Sequence, residues 1–287
     1  MELEYRSGYW ADLPSREAFK TFLRKIHNLD LSLWDDAGFW DNAYTPFSYF
    51  NDGKVVSSIC LYFLDAVIDG KSSKLVQISG VGTLPAFRNQ GLNRRLTDRA
   101  LDWAKGKHQG VFLFADEEAT PFYQRCGFTP IQESQEYCHI TPVPTQMGIN
   151  QLDISDTGTL QKIHDYAIQR CPQSERFSIT NPQLLMFHVL YTMANKVIEI
   201  PELNCLVFFD RRDSEINIYD IVGREMPTFN DLYPFIAQKA DEQVNFHFHT
   251  DKLEGRDIKT RLTNLNNTFV KGDFPIQNPA FPFTSRA

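Results

Sequence analysis

The sequence predicts a layered α/β protein: a mixed, mostly antiparallel sheet flanked by helices, followed by a second, smaller α/β domain. Three observations predict it. Asp52-Gly53 and Asp69-Gly70 separate apolar runs at the places where antiparallel hairpins turn. A strand-like run ends at Val81-Gly82-Thr83 and passes through Pro85 and Gly91 into an amphipathic helical pattern. A fresh series of helices and strands begins beyond residue 150. The chain has 287 residues, and domains of ~100–200 residues are the norm. Two domains are therefore expected, 1–142 and 143–287, with a seam in the stretch TPVPTQMGIN at 141–150.

Residues 14–27, PSREAFKTFLRKIH, repeat Phe19, Phe22, Leu23 and Ile26 at helical spacing, with Ser15 placed to cap. The stretch 32–50 has no clean period. It mixes Trp34, Phe39, Trp40, Tyr44 and Phe47 with Asp35, Asp36 and Asp41. Such a segment either covers a core or offers carboxylates among aromatics to a cationic amine. Strands are expected at FSYF, KVVSSICLYFLDAVIDG and KLVQISGVGT. A helix over 91–105 sets Leu92, Leu96, Ala100, Trp103 and Ala104 on one stripe, leaving Arg94, Arg95, Asp98, Arg99 and Asp102 outside it. VFLFA at 111–115 reads as a short buried strand, and EEATPFYQRCGF as a short helix stopped by Gly127.

Beyond the seam, helices are expected over Thr157–Gln169 and Pro182–Ala194. Strands follow at KVIEI, NCLVFFD and INIYDIV, then a helix near 228–240 and a strand at VNFHFH. The order of elements resembles that of the first half, with no residue-level repeat. Where the first half has its glycine turn, the second has Gly223 followed by Glu225, Pro227 and Asp231.

Composition narrows the function. A net charge of -7 argues against a general nucleic-acid binder. The 5 cysteines include no C-x-x-C pair, which disfavours zinc and a disulfide framework. The first residues, MELEYRSGYW, lack the apolar core of a signal peptide, and no apolar run approaches the ~20 residues that span a bilayer. A cytoplasmic protein without a membrane partner is expected. His247 and His249 alternate with Phe246 and Phe248, so both would face one side of a strand. They read as a polar face or as two ligands in want of a third. No H-E-x-x-H spacing occurs, and no metal is expected.

The stretch GVGTLPAFRNQGLNRRL, 80–96, carries the chemistry. The first N–H groups of a helix lack intrahelical partners, and the peptide dipoles add partial positive charge there. Gly91 keeps bulk away from those amides, and Arg88, Arg94 and Arg95 add charge. A phosphate is the natural ligand of such a turn. Easing an ordinary strand-to-helix turn would also require the glycine. The P-loop pattern G-x-x-x-x-G-K-[ST] is absent, and hairpins before the turn argue against a dinucleotide-binding βαβ unit.

LPAFRNQGLNRRL resembles the acetyl-CoA signature of the GCN5-related N-acetyltransferases, R/Q-x-x-G-x-G/A. Arg88 and Gly91 match, and Asn93 stands where that family has Gly or Ala. ATPFYQRCGF, 119–128, is similar to the family's A-x-x-x-Y-x-x-x-G-F ending through Tyr123, Gly127 and Phe128. The resemblance implies that family's fold for 1–142 and a degenerate copy without the acetyl-CoA motif for 143–287.

It further implies an acetyl-CoA-dependent N-acetyltransferase, transferring acetyl to a primary amine of a small molecule or peptide by direct attack through a tetrahedral intermediate. Val81, Gly82 and Thr83 would line the pantetheine arm. Amides of Asn89, Gln90, Gly91, Leu92, Asn93 and Arg94, with Arg88, would hold the pyrophosphate. Tyr123 would protonate the leaving thiolate. Asp65, Asp116, Glu117 and Glu118 are candidates for a base only by proximity in sequence, and a water chain could serve instead. The alternative is an acyl-CoA-binding or sensing module on the same fold.

Overall fold

A computed structural model of the chain describes residues 3–255, 257–263 and 267–287. Strand β1 (Glu4–Ser7) leads into α1 (Leu13–His27) and the short α2 (Ser32–Asp36). Strands β2 (Tyr44–Asn51), β3 (Lys54–Ile68) and β4 (Lys71–Thr83) follow, then α3 (Leu92–Ala104), β5 (Gly110–Phe114), α4 (Thr120–Arg125), β6 (Phe128–Pro130) and β7 (Ser134–His139). The turns at Asp52-Gly53 and Asp69-Gly70 have left-handed φ at both central residues, 48° and 73° in the first, 47° and 71° in the second. That is the geometry that joins twisted antiparallel strands without splaying them.

The chain continues with β8 (Asn150–Gln151), α5 (Thr157–Gln169), β9 (Phe177–Ile179) and α6 (Pro182–Tyr191). Then come β10 (Val197–Ile200), β11 (Cys205–Arg212), β12 (Glu215–Gly223), α7 (Phe229–Ile236), β13 (Gln243–Phe246), β14 (Lys259–Leu262) and β15 (Thr268–Lys271). The expected helices and strands of the second half are present. The fourth expected strand, VNFHFH, ends at Phe246, so its two histidines lie outside it.

Two sheets form, both mixed and mostly antiparallel. The first has the order β1-β2-β3-β4-β5-β15-β6, with β9 pairing the far end of β3; the second has the order β14-β7-β13-β12-β11-β10-β8. Each contains an antiparallel meander followed by a helix that crosses to a parallel strand. In the first, β4 and β5 flank α3; in the second, β12 and β13 flank α7. The element order that the two halves share is thus a repeat of topology.

The sheets exchange strands across residue 142. β15, near the end of the chain, pairs β5 and β6. β7, which precedes the seam, pairs β13 and β14 in the second sheet. Each guest strand sits beside the crossover strand of its host.

The core is divided by the first sheet. On one face α3 and α4 cover Phe47, Ile59, Val76, Ile78 and Leu113. On the other, α1, α2, α5 and α6 pack with Phe112, Phe177 and Phe281. The aromatic stretch 32–50 belongs to this second layer. Trp34, Phe39, Trp40 and Tyr44 are buried, Trp34 donates to the Gln183 carbonyl at 2.9 Å, and Asp35 is held by Arg16 and Lys20. It is a core cover that seats α6 on the first half, and Asp35 is spent on that packing.

Behind α6, Arg170 and Asp220 are almost wholly buried, the fork meeting the carboxylate at 2.9 and 2.6 Å. Thr284 adds a further hydrogen bond to Asp220 at 2.5 Å. Removing one partner of a buried pair leaves an uncompensated charge. Asp220→Ala is expected to lower stability by about 3–5 kcal/mol, read from denaturant unfolding of the full chain.

Candidate functional site

The site starts where two parallel strands part. β4 and β5 pair from Leu75–Gly110 to Ile78–Leu113 and no further, although β4 runs on to Thr83. Two features bend β4 away. Its register against β3 slips between Ser58 and Cys60, so that Gly80 and Val81 bulge from the ladder, with Gly80 at φ +58°. Gly82 then lies directly under α1. A Cβ there would stand 2.6 Å from Ile26 Cγ2 and 3.3 Å from Phe22 Cζ, which only glycine avoids. From Ser79 to Thr83 the edge facing β5 has no strand partner.

Beyond Thr83 the chain turns through Pro85–Phe87 to Gly91, whose φ of +69° makes it a left-handed N-cap for α3. Arg88 N–H bonds back to the Pro85 carbonyl, and Arg95 N–H closes onto the Gly91 carbonyl. Between them, the backbone N–H groups from Asn89 to Arg94 have no partner among the described residues. The space that a Cβ of Gly91 would enter is open. These donors converge with the positive end of the α3 dipole, which makes the turn a cradle for an anion.

Asn93 does not enter that cradle. Its side-chain oxygen accepts a hydrogen bond from Ser57 Oγ at 2.7 Å, and Ser57 also contacts Thr83 Oγ1 at 2.9 Å. The side chain that departs from the Gly/Ala pattern thus points back to the sheet and ties α3 to β3 and β4. Of the three arginines expected to add charge, Arg88 stays at the turn, with Nε donating to the Thr83 carbonyl at 3.2 Å. Arg94 instead reaches Asp98 and the Arg125 carbonyl, and Arg95 stacks on Tyr49.

Tyr123 sits on α4, packed edge-on against Phe122 and Phe128. Burial, followed by the nearby Cys126 and Asp116, raises its hydroxyl well above the ordinary tyrosine pKa. The hydroxyl has no hydrogen-bond partner among the described residues. The carbonyls at the end of α4 are capped from two directions, by Arg94 on the Arg125 carbonyl and by Lys271 of β15 on the Cys126 carbonyl at 2.5 Å.

His27, the last residue of α1, rims the same gap and belongs to no motif. It is exposed, yet partial burial of its ring depresses its pKa, while Asp116 and the Val81 backbone act in the opposite direction. Asp116 therefore influences both His27 and Tyr123. Of the other carboxylates considered, Glu117 and Glu118 are exposed, and Asp65 pairs with Lys74 low on the hairpin. Nothing local in the sequence marked His27, because its place depends on α1 crossing Gly82.

The two histidines of VNFHFH do not face one way. His249 is buried between Glu136, at 2.8 Å from Nδ1, and the Ala280 N–H, which donates to Nε2 at 3.0 Å. His247 meets Asn217 and stacks near Tyr219. No group of three metal-ligating side chains occurs among the described residues. Nor is any described helix long and apolar enough to cross a membrane.

In the second half the corresponding helix start is filled. Thr228 caps α7 by accepting from the Asp231 N–H, and the Phe229 N–H donates to the Glu254 carbonyl at 2.8 Å.

A parted parallel pair thus stands beside a helix whose leading amides have no partner among the described residues. Residues 9–128 match the model of the acetyltransferase (GNAT) family. No curated protein matches the chain in sequence. Among solved structures it resembles a conserved Enterococcus faecalis V583 protein described as a probable N-acyltransferase, with TM-score 0.63 and 13% identity over 99% of this chain and 74% of that one. Eis1 from Mycobacterium abscessus follows, with TM-score 0.58 and 15% identity over 94% and 73% of the two chains. A GCN5-related N-acetyltransferase from Kribbella flavida has TM-score 0.53 and 12% identity over 93% and 71%. At these identities the likeness is one of fold, and it extends through both halves.

Asn93→Ala restores the family's small residue and removes the bond to Ser57. It is expected to cost about 1 kcal/mol of stability, the net worth of one hydrogen bond, measured by denaturant unfolding beside Ser57→Ala. The double variant should lose little more than either single one.

Proposed function

We propose that the protein transfers an acetyl group from acetyl-CoA to a primary amine of a small molecule or peptide. The observation that carries this reading is the unpartnered run of amides from Asn89 to Arg94 beside the open edge of β4. The amides and Arg88 hold the pyrophosphate, and the residues Val81, Gly82 and Thr83 line the pantetheine arm. An extended arm can take the place of the missing β5 ladder, because β4 offers it main-chain donors and acceptors beyond Ile78. Acetyl-CoA supplies an activated thioester.

The residues of the chain orient and protonate. A β4 amide near the bulge stabilises negative charge on the carbonyl oxygen. The amine nitrogen forms a bond to the carbonyl carbon and gives up a proton to solvent water, while the carbon–sulfur bond breaks and sulfur takes up a proton from an acid that solvent then reprotonates. Tyr123 supplies that proton. Its raised pKa keeps the O–H intact through neutral pH, and its hydroxyl is uncommitted. The second half, with its helix start already capped, binds no cofactor and shapes the acceptor side.

Gly91→Glu places strain at a left-handed φ and a carboxylate among the amides. Loss of measurable acetyl-CoA binding by calorimetry is expected, and unchanged affinity would refute the role of the turn. For Tyr123→Phe the expectation is acetyl-CoA affinity within about twofold and turnover slowed ~100-fold or more, the usual range for a general acid. The pH profile carries its own sign. A hydroxyl raised above the ordinary value of 10.0 is lost only beyond that pH, so wild-type kcat/KM should not decline between about pH 8 and pH 10.

A further inference from the structure

A cavity of about 420 Å3 opens beside β7, β13 and β14 of the second sheet, and its lining includes Glu133, His247, Arg261, Thr263, Phe281 and Arg286. Two of its lining side chains reach β5. The Arg286 guanidinium lies over the Phe114 ring at 4.4 Å, and Phe281 meets the same ring edge-on at 5.4 Å. Phe114 is the first β5 residue beyond the last pair with β4.

The charges in this cavity do not cancel. Glu133, buried, is spent on Arg286 and on the Thr268 hydroxyl. His247 is neutral in the physiological range, pushed down to about 4 by burial and by Arg286, with Asp210 opposing and Arg212 adding to the depression. Arg261 donates only to neutral oxygens, Gln135 Oε1 at 2.8 Å and Asn245 Oδ1 at 3.1 Å. It stacks on Tyr137 and has no carboxylate partner among the described residues. Two more donors have no hydrogen-bond partner among the described residues, the buried Arg286 Nε and Thr263 Oγ1. A buried donor left unmade is costly, and a guanidinium fork matches a planar carboxylate.

We propose that this cavity receives a carboxylate of the amine acceptor, with Arg261 as its charge partner and Arg286 and Thr263 as hydrogen-bond donors. The acceptor class is then a small amine that also carries an acid group, of amino-acid size, rather than a polyamine. This identification rests on the acetyl-transfer reading of the first half. A cavity of this volume is at the small end of ligand pockets, which suits such a molecule.

The test uses the full chain and three amine pairs that differ only by a carboxylate: lysine and cadaverine, arginine and agmatine, tryptophan and tryptamine. Calorimetry should show the acid member of at least one pair binding about tenfold tighter or better, as expected for a charge-assisted contact. Arg261→Gln should erase that margin and Arg261→Lys restore part of it, with melting temperatures near that of the wild type. Equal or tighter binding of the plain amines, a margin that survives Arg261→Gln, or no binding by any acid overturns the proposal. Acetyl-CoA is titrated separately. Binding of acetyl-CoA without the acids leaves the cofactor reading standing, whereas acids held through Arg261 without acetyl-CoA would overturn that reading and keep the cavity.

Discussion

The early end of the β4–β5 ladder is the constraint on which the rest depends. Parallel strands normally bury and pair every main-chain group between them. Here pairing stops at Ile78–Leu113 while β4 continues to Thr83. The opening is built from both sides. The bulge at Gly80–Val81 and the close approach of α1 to Gly82 turn β4 away. β5 keeps a partner on its other edge, β15, and the Ala115 N–H donates to the Asn267 carbonyl at 2.8 Å. The gap is thus held by backbone geometry and helix packing.

Strand exchange makes that gap a property of the whole chain. β15 is the outer support of β5, and its Lys271 caps the helix that presents Tyr123. In return β7 completes the second sheet from the first half. The final residues cross back as well. The Gln77 side chain of β4 exchanges hydrogen bonds with Ala287 at 2.7 and 3.0 Å, and Arg286 bridges Glu133 and Phe114. The candidate site and the cavity beside it therefore draw on side chains from both ends of the sequence.

What was legible in the sequence was local. Asp-Gly pairs announced the hairpins because a two-residue turn demands left-handed φ at both positions. The stripe of Leu92, Leu96 and Ala100 announced α3, and Gly91 announced its free end. The exchanged strands were not legible. TFVK at 268–271 and SQEYCH at 134–139 are short, and their pairing is decided by partners far along the chain rather than by any pattern of their own. The same holds for His27 and Arg286, ordinary charged or polar residues until tertiary packing sets them at the gap. For Asn93 the sequence exposed the departure, and only the fold revealed that Ser57 absorbs it.

The two halves supply an internal control for the physics of the turn. Both sheets run a meander into a helix and back to a parallel strand, so both place a helix N-terminus at the end of a strand. The dipole at that position is common to the two. In α7 it is answered within the chain, by the Thr228 hydroxyl and the Glu254 carbonyl. In α3, where Gly91 offers no side chain, the leading amides stay unanswered. A helix start is therefore not enough to make an anion site; withholding the cap is what leaves the donors to a ligand. Both parallel ladders stop short, the second at Ile218–Phe246 while β12 runs on to Gly223, so the first half is set apart by its open helix start and by Tyr123. The half that caps it has instead turned a polar end of its own, with His247 and Arg261, toward the neighbouring cavity.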